Sequence, residues 1–184
     1  MNISLKPPKT FLGYPSTTLL GQRIDGYGLS TTPEKMEAIT RLQFPHTLKE
    51  LETYLGLTGW LRNHIHYYAQ IVEPLQRRKT MLLRDAPKTG KTRKSFAART
   101  RLTEATNDEI SAFNHLQEVF RKPTFLAHFD AGRRLYIDLD ASKAYGFGVV
   151  AYHTAGDPGK SEDISKLKIQ LILFLSKVLT EAEQ

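Results

Sequence analysis

Two carboxylates, Asp138 and Asp140, interrupt an apolar and β-prone stretch, LYIDLDASKAYGFGVV, at residues 135–150. Residues two apart on a strand share one face of the sheet, so these side chains would lie side by side. Hard divalent cations such as Mg²⁺ prefer carboxylate oxygens, and two-metal nuclease sites use such ions to activate water. The spacing is therefore compatible with a metal-dependent nuclease, and also with the solvated face of an edge strand.

Basic side chains form the second chemical feature. The chain carries 26 Lys and Arg against 19 Asp and Glu, a net charge of +7, and ten of the basic residues lie between positions 76 and 101 beside a single acid. Charge concentrated in this way binds phosphates by counterion release without reading base sequence. The candidate phosphate contacts include Arg77, Arg78, Lys79, Lys91, Arg93 and Lys94. The run predicts a nucleic-acid partner, with an ordinary solvated linker as the alternative.

Two further motifs are weaker. The tract KTGKT at residues 88–92 is similar to the end of a phosphate-binding P-loop, but Asp85 stands where that motif needs its first glycine. His64 and His66 are two residues apart, which puts them on opposite sides of a helix. We therefore expect no nucleoside triphosphate site, and two partly exposed histidines. The absence of cysteine excludes disulfides and thiolate metal sites and fits a reducing compartment.

The elements that would position these residues begin with a β-hairpin. Short apolar stretches broken by turn-forming residues predict it within residues 11–30. A helix should follow, because Thr32 can cap it and Pro33 suits its first position.

Two more helices are predicted after Pro45. Thr47 would start the first, and Gly56 and Gly59 predict a break in it. The next would run through residues 61–75, with Pro74 near its end or at a kink. Core positions expected from helical spacing are Tyr54, Trp60 and Leu61.

The second half of the chain is predicted to follow a flexible basic linker at residues 84–106, because that segment is highly charged and poor in apolar residues. A helix capped by Asn107 or Asp108 should come next. Three strands are then expected at about 134–141, 145–153 and 169–176.

Four stretches resemble, in order, the Pol polyproteins of Ty3/gypsy-type retrotransposons. LLGQRIDGYGLSTTPEKMEAI looks like the last palm hairpin of the reverse transcriptase, and FPHTLKELETYLGLTGWLRNHIHYYAQIVEPL looks like its thumb. DEISAFNHLQEVFRKPTFLAHFD is similar to the segment that connects polymerase to ribonuclease H. LYIDLDASKAYGFGVVAYH, with ILFLSKVLTEAEQ, resembles the first three ribonuclease H strands. The resemblance runs from about residue 9 to the end.

The resemblance implies DNA synthesis on a template and Mg²⁺-dependent cleavage of RNA in a hybrid. Asp140 would be the first of four nuclease carboxylates, catalytic and metal-binding, whereas Asp138 would have a supporting or solvent-facing position. The turn at Leu20 and Gly21 would lie near the primer strand, and basic residues 77–79 would flank the duplex. Because the sequence shows neither the polymerase Tyr-x-Asp-Asp motif nor the later nuclease carboxylates, we expect catalytic incompleteness and no tightly held Mg²⁺.

The expected fold class is α+β. The predicted parts are a palm β-hairpin at 1–31, a helical thumb at 32–83, a basic linker at 84–106, a connection helix and extended segment at 107–133, and an incomplete ribonuclease H-like domain of three antiparallel strands at 134–184. The expected function is that of a truncated reverse transcriptase/ribonuclease H with residual, salt-dependent binding of RNA/DNA hybrid. The alternatives are a domesticated non-enzymatic module that binds nucleic acid or protein, and a chain that works only when a second polypeptide completes the nuclease site.

No apolar run approaches the length of a membrane span, and the N-terminus has no signal-peptide core. We therefore expect an intracellular protein, cytoplasmic or nuclear, without membrane contact. A ribonuclease H sheet without its covering helices would also expose the segment IQLILFLS and favour self-association.

Overall fold

The computed structural model describes residues 6–7, 10, 12–87, 90–122, 124–142, 146–154, 168–179 and 183. Its strands are β1 (Ser16–Leu19), β2 (Gln22–Asp25), β3 (Gly28–Thr31), β4 (Leu126–Ala127), β5 (Tyr136–Ser142), β6 (Gly146–Thr154) and β7 (Ile169–Lys177). Its α-helices are α1 (Pro33–Thr40), α2 (Leu48–Trp60), α3 (Tyr68–Leu83), α4 (Gly90–Arg99) and α5 (Asn107–Arg121), with a 3₁₀ turn at Arg62–His64. The predicted α+β class is confirmed.

The N-terminal sheet is antiparallel, in the order β1-β2-β3-β4. The predicted hairpin is its β1–β2 pair, in which Leu19 pairs with Gln22 across a two-residue turn. Both turn residues have positive φ, 53° at Leu20 and 79° at Gly21, as in the turn type that matches the twist of a hairpin. The short β4 comes from far along the chain and pairs with β3.

The helical body comprises α1 to α5, and all of these helices except α4 contribute to one hydrophobic core. Two helices on either side of the basic run, α3 and α5, pack against each other, and α1 also contacts α5. The buried core residues are Met36, Ile39, Leu51, Tyr54, Leu55, Leu61, Ile65, Tyr68, Val72, Leu75, Ala112, Phe113, Leu116 and Phe120. A single core therefore joins residues on both sides of the segment that was predicted to divide the chain.

That segment is not the flexible linker that its composition predicts. Residues 90–99 form α4, which packs on α2. Ala97 is buried, and the Arg93 guanidinium makes a two-pronged ion pair with the Glu52 carboxylate. Beyond the helix, the amide of Leu48 donates to the carbonyl of Thr100 at 2.9 Å. Composition missed these contacts because each uses a partner distant in sequence. The domain boundaries themselves remain predictions.

The other helices differ from the predictions at their ends. Neither Gly56 nor Gly59 breaks α2, which continues to Trp60, and Pro74 lies inside α3. The α5 cap is Thr106, whose side chain accepts the amide of Glu109, rather than either of the two residues after it. Glycine and proline weaken a helix, but packing along the whole of α2 and α3 outweighs these local preferences.

The C-terminal sheet is antiparallel, in the order β5-β6-β7, and its strands lie within one or two residues of the predicted ranges. One face carries Asp138 and Asp140, which pair with Val150 and Gly148. The opposite face includes exposed Leu139, 68% accessible, together with Ile137 and Leu175. The segment IQLILFLS, predicted to be exposed, is exposed only at Ile169 and Leu175, and its other residues are half-buried.

No helix among the described residues is long and apolar enough to cross a membrane.

Candidate nucleic-acid interface and carboxylate site

The β1–β2 turn presents an exposed side chain on a strained backbone. Leu20, 65% accessible, has a left-handed conformation that is uncommon outside glycine. Its carbonyl accepts a hydrogen bond from Lys35 Nζ at 3.2 Å. The same Nζ lies 5.9 Å from the centre of the Trp60 ring, within cation–π range. Lys35 therefore links the β1–β2 turn, the predicted contact with the primer strand, to Trp60 at the end of α2.

An exposed stripe extends from this turn along α2. Half-buried Glu52 and exposed Gly56 and Trp60 are spaced four residues apart and share one side of the helix. The stripe covers about 12 Å along the axis and about 80° of its circumference. Trp60 is 50% accessible, contrary to the core position predicted for it, whereas Tyr54 and Leu61 are buried as expected. Nothing lies within 4 Å of the position that a Cβ would take at Gly56.

At the far end of the stripe, α4 adds positive charge. Lys91 and Lys94 are exposed on this helix, and Arg93 is held by Glu52. The predicted phosphate contacts in α4 thus comprise two accessible lysines and an arginine whose charge is already balanced. Along this side of α2, the β1–β2 turn is followed by the Trp60 ring, by Gly56 without a side chain, and then by the basic helix α4.

The basic residues of α3 divide into two kinds. Arg77 is exposed and pairs with Glu73 one turn earlier, Nη2 lying 2.6 Å from Oε1. Arg78 has a side chain only 12% accessible, its guanidinium donates to the carbonyls of Thr103 and Glu104, and its Nε lies 3.6 Å from Oε1 of Glu109. This buried position does not support the phosphate contact predicted for Arg78.

Lys79, the third predicted contact on α3, is half-buried. It stays a candidate on position alone.

The C-terminal sheet places Asp140 against the helical body. The hydroxyl of Tyr67 donates a hydrogen bond to Oδ2 of Asp140 at 2.6 Å. This hydrogen bond is the main reason why the pKa of the Tyr67 hydroxyl is raised above its usual value. The Asp140 carboxylate therefore has a tyrosine as its partner in this structure.

Asp138 points to the same face of the sheet. Its carboxylate lies near the Tyr152 hydroxyl, whose pKa is raised by burial and further by this negative charge. Asp138 is exposed, as predicted. Within the described ranges, no group of three or more His, Cys, Asp or Glu side chains could hold a metal ion. These residues alone do not fit the two-ion site that the family resemblance implies.

His64 is buried, which corrects the expectation of a partly exposed pair. Its Nδ1 lies 3.1 Å from the carbonyl of Thr124 and its Nε2 lies 3.4 Å from Nε2 of Gln22. A neutral ring that donates from Nδ1 and accepts at Nε2 satisfies both contacts. Burial lowers the pKa of His64. The side chain therefore joins the 3₁₀ turn after α2 to β2 of the N-terminal sheet, while His66 is exposed and its ring lies against that of Tyr67.

Three residues of the site were missed from the sequence. Trp60 was assigned to the core because its spacing fits, and Gly56 was read as a helix breaker. Their shared spacing of four on a helix could have revealed the stripe. Tyr67 had no such signal, because its partner lies 73 positions further along the chain.

The architecture has known structural counterparts. A foamy viral protease-reverse transcriptase in complex with double-stranded DNA matches 92% of this chain and 30% of its own, with a TM-score of 0.65 and 22% sequence identity. The same protein in complex with an RNA/DNA hybrid matches 96% of this chain and 20% of its own, with a TM-score of 0.66 and 22% identity. The fold is that of a reverse transcriptase/ribonuclease H segment.

Sequence relatives agree with the fold. A retrovirus-related Pol polyprotein from the Drosophila melanogaster transposon opus is 24% identical over 183 residues, which cover 100% of this chain and 16% of the polyprotein. The corresponding polyprotein of transposon 297 is 26% identical over 141 residues, 77% of this chain and 12% of its own length. An uncharacterized mitochondrial protein of Arabidopsis thaliana is 41% identical over 69 residues, 36% of this chain and 44% of its own.

The chain is thus related to the Pol polyproteins of retrotransposons, and the predicted family origin is confirmed. No protein-family model matches it. It spans less than half the length of these curated relatives.

Proposed function

We propose that this chain binds a nucleic-acid duplex, such as an RNA/DNA hybrid, as part of a reverse transcriptase/ribonuclease H. The observation that carries the proposal is the exposed stripe of Gly56 and Trp60 on α2, which has the β1–β2 turn at one end and basic α4 at the other. The complexes of the foamy viral enzyme with double-stranded DNA and with RNA/DNA hybrid support the same class of ligand.

Each part of the stripe has a role in this proposal. Gly56 lets the sugar-phosphate backbone approach the helix closely, since no side chain stands between them. Trp60 offers a flat apolar surface to sugars and bases, and the strained turn at Leu20 and Gly21 reaches the same strand. Lys91 and Lys94 attract phosphates by counterion release, which makes binding weak and salt-dependent.

Hydrolysis is not part of the proposal for this chain alone. Asp140 is one carboxylate, and its Oδ2 accepts the Tyr67 hydroxyl. When a divalent ion such as Mg²⁺ is bound, it supplies activated water and charge stabilisation in this class of nuclease. Asp140 would be one ligand of such an ion and would hold it loosely on its own. We further propose that the protein works inside the cell, in the cytoplasm or nucleus.

The test is salt-dependent binding of a fluorescent RNA/DNA hybrid to the full chain. The double variant Lys91→Gln, Lys94→Gln should weaken binding and reduce the slope of log affinity against log salt by about two. Arg121→Gln, Lys122→Gln removes the same charge at the end of α5 and should leave the slope unchanged.

Two outcomes would contradict the proposal. Absence of hybrid binding at low salt would favour a protein-binding module instead. Mg²⁺-dependent cleavage of the hybrid that is lost in Asp140→Asn would show that the chain hydrolyses RNA.

A second proposal concerns self-association through the apolar face of the C-terminal sheet. Exposed Ile137 and Leu139 on β5 and Leu175 on β7 lie on the same face of the sheet, on either side of β6, and form a patch that a second copy would cover. Sedimentation velocity should show concentration-dependent dimers that Leu139→Lys abolishes. The control Ser142→Lys, also exposed on β5, should leave the dimers intact. Monomers at all concentrations would refute this proposal.

A further inference from the structure

We propose that Tyr67 is a latch that closes the helical body over Asp140, so that the closed conformation and a cation on Asp140 Oδ2 exclude each other. This inference concerns the conformation of the chain and does not depend on nucleic-acid binding.

The first support is the geometry around the carboxylate. The Tyr67 ring lies over Gly148, the β6 residue paired with Asp140, and its hydroxyl donates to Oδ2 at 2.6 Å. A Cβ at position 148 would overlap the ring, with Tyr67 Cδ1 only 2.8 Å away. Gly148 therefore leaves room for the Tyr67 ring, and Asp140 supplies an acceptor for the Tyr67 hydroxyl.

The second support is that neighbouring residues dock at the same place. The amide of Ala69, in the first turn of α3, donates to Oγ of Ser176 at 2.8 Å. Nε2 of Gln70 donates to the carbonyl of Phe147 at 3.2 Å. The ring of His66 lies 5.2 Å from that of Phe174. Contacts from four of the five residues 66–70, counting Tyr67 itself, thus join the start of α3 to one face of the sheet.

The third support is the backbone of Tyr67. Its φ of 53° and ψ of 32° lie in the left-handed region, which a residue with a Cβ rarely occupies. Such a conformation persists only where surrounding contacts determine it. The contacts here are the tilted ring contact with His66, 3.9 Å between ring centres, and the hydrogen bond to Asp140. The unfavourable backbone is consistent with a segment that can relax when the latch opens.

Mutual exclusion follows from the space that the Tyr67 side chain fills beside Oδ2. The Tyr67 hydroxyl occupies the approach to Oδ2, and its ring covers the adjacent face of the sheet at Gly148. A cation with its water ligands needs the same space. The apparent affinity of the protein for a cation would therefore be reduced in proportion to the fraction of molecules that are open.

The closing of the latch can be measured directly, because the chain has no cysteine and accepts a labelled pair without background. Spin labels at Met81→Cys on α3 and Ile169→Cys at the start of β7 report the distance between the two parts; both positions are exposed. The parent pair should give one narrow distance distribution. Tyr67→Phe, which removes only the hydroxyl, and Asp140→Ala should each add a broad component.

Combining the two changes tests whether the Tyr67 hydroxyl and the Asp140 carboxylate act through their hydrogen bond to each other. If the hydroxyl and the carboxylate act together, Tyr67→Phe with Asp140→Ala should broaden the distribution no more than the larger single change. Asp140→Asn, which keeps an oxygen acceptor, should restore a narrow distribution, and Tyr27→Phe at an exposed site should change nothing. Narrow distributions in both single variants, or additive broadening, would overturn the latch.

Exclusion of a cation is tested with Mn²⁺ as a paramagnetic probe of amide signals near residue 140. At equal Mn²⁺, line broadening should be greater in Tyr67→Phe than in the parent protein, and should be lost in Asp140→Ala. Far-ultraviolet circular dichroism checks that each variant is folded. Equal broadening in Tyr67→Phe and the parent would overturn the exclusion.

Discussion

The helical body buries its apolar residues in a core, whereas the C-terminal sheet leaves apolar residues exposed on one face. In the helical body, α1, α2, α3 and α5 enclose a continuous core, and the basic run is held to its surface by ion pairs and backbone hydrogen bonds. In the C-terminal sheet, the α3 start covers one face while the other leaves Leu139 and Ile137 in solvent. The helical body thus holds its own shape, whereas the sheet depends on what covers it.

The largest expected effect tests this difference in burial. Leu116→Ala, at a fully buried position of α5, should lower the free energy of unfolding by about 4 kcal/mol. Leu139→Ala, of the same chemistry but on the open face of β5, should change it by less than about 0.5 kcal/mol. Urea unfolding followed by circular dichroism measures both. Equal losses at the two positions would mean that the open face is covered in solution.

A smaller effect is expected for the two adjacent arginines of α3. Arg78→Gln should destabilise the protein by about 2 to 3 kcal/mol, since it leaves Glu109 and two carbonyl groups without their charged donor in a nearly buried site. Arg77→Gln removes the same charge from an exposed pair and should cost under about 0.5 kcal/mol. The urea midpoints of the two variants are compared with that of the parent protein. A larger shift for Arg77→Gln than for Arg78→Gln would refute the structural role of Arg78.

Gly56→Ala should separate stability from binding. Alanine at this open helical position should raise the free energy of unfolding by about 0.5 to 1 kcal/mol. Its methyl group would stand between α2 and the nucleic acid, and should weaken hybrid binding by roughly fivefold, or about 1 kcal/mol.

The matched control is Asn114→Ala, at an exposed position of α5, which should raise stability without changing affinity. If Gly56→Ala leaves hybrid binding intact, the stripe does not touch the duplex.

The smallest effect is a dependence of stability on pH through His64. Burial lowers its folded-state pKa below the unfolded value of about 6.5, so the folded protein takes up the proton less readily. The contribution of the neutral ring to stability is complete above pH 6.5, and it is lost as the pH falls from there through the lowered folded value. Unfolding free energies across this window should fall less steeply in His64→Gln. Parallel profiles for the two proteins would exclude His64 as the cause.

Local patterns in the sequence predicted the strands well. Runs of apolar and β-prone residues located β5, β6 and β7 to within one or two residues, because strand propensity depends on residue types that are close together in the sequence. The same local reasoning placed Trp60 in the core, since spacing alone cannot say whether the far side of a helix finds a partner. Helix α4 was missed because the Glu52 and Thr100 contacts that hold it link distant parts of the chain.

The candidate site was predictable only in part. Asp140, the β1–β2 turn and the basic residues of α4 could be named from residue type and family resemblance, and these assignments remain predictions. Burial of Arg78 and the partnership of Tyr67 with Asp140 could not be named, because each depends on packing between elements.

The shared core of the helical body has a consequence for synthesis of the chain. Its last buried member, Phe120, precedes every residue of the C-terminal sheet, so the body can fold while the sheet is still being translated. Tyr67 would then already stand on a formed helix when Asp140 leaves the ribosome. The body would act as a template on which β5 and β6 assemble, and a delay in that step would leave an apolar sheet without its first contact.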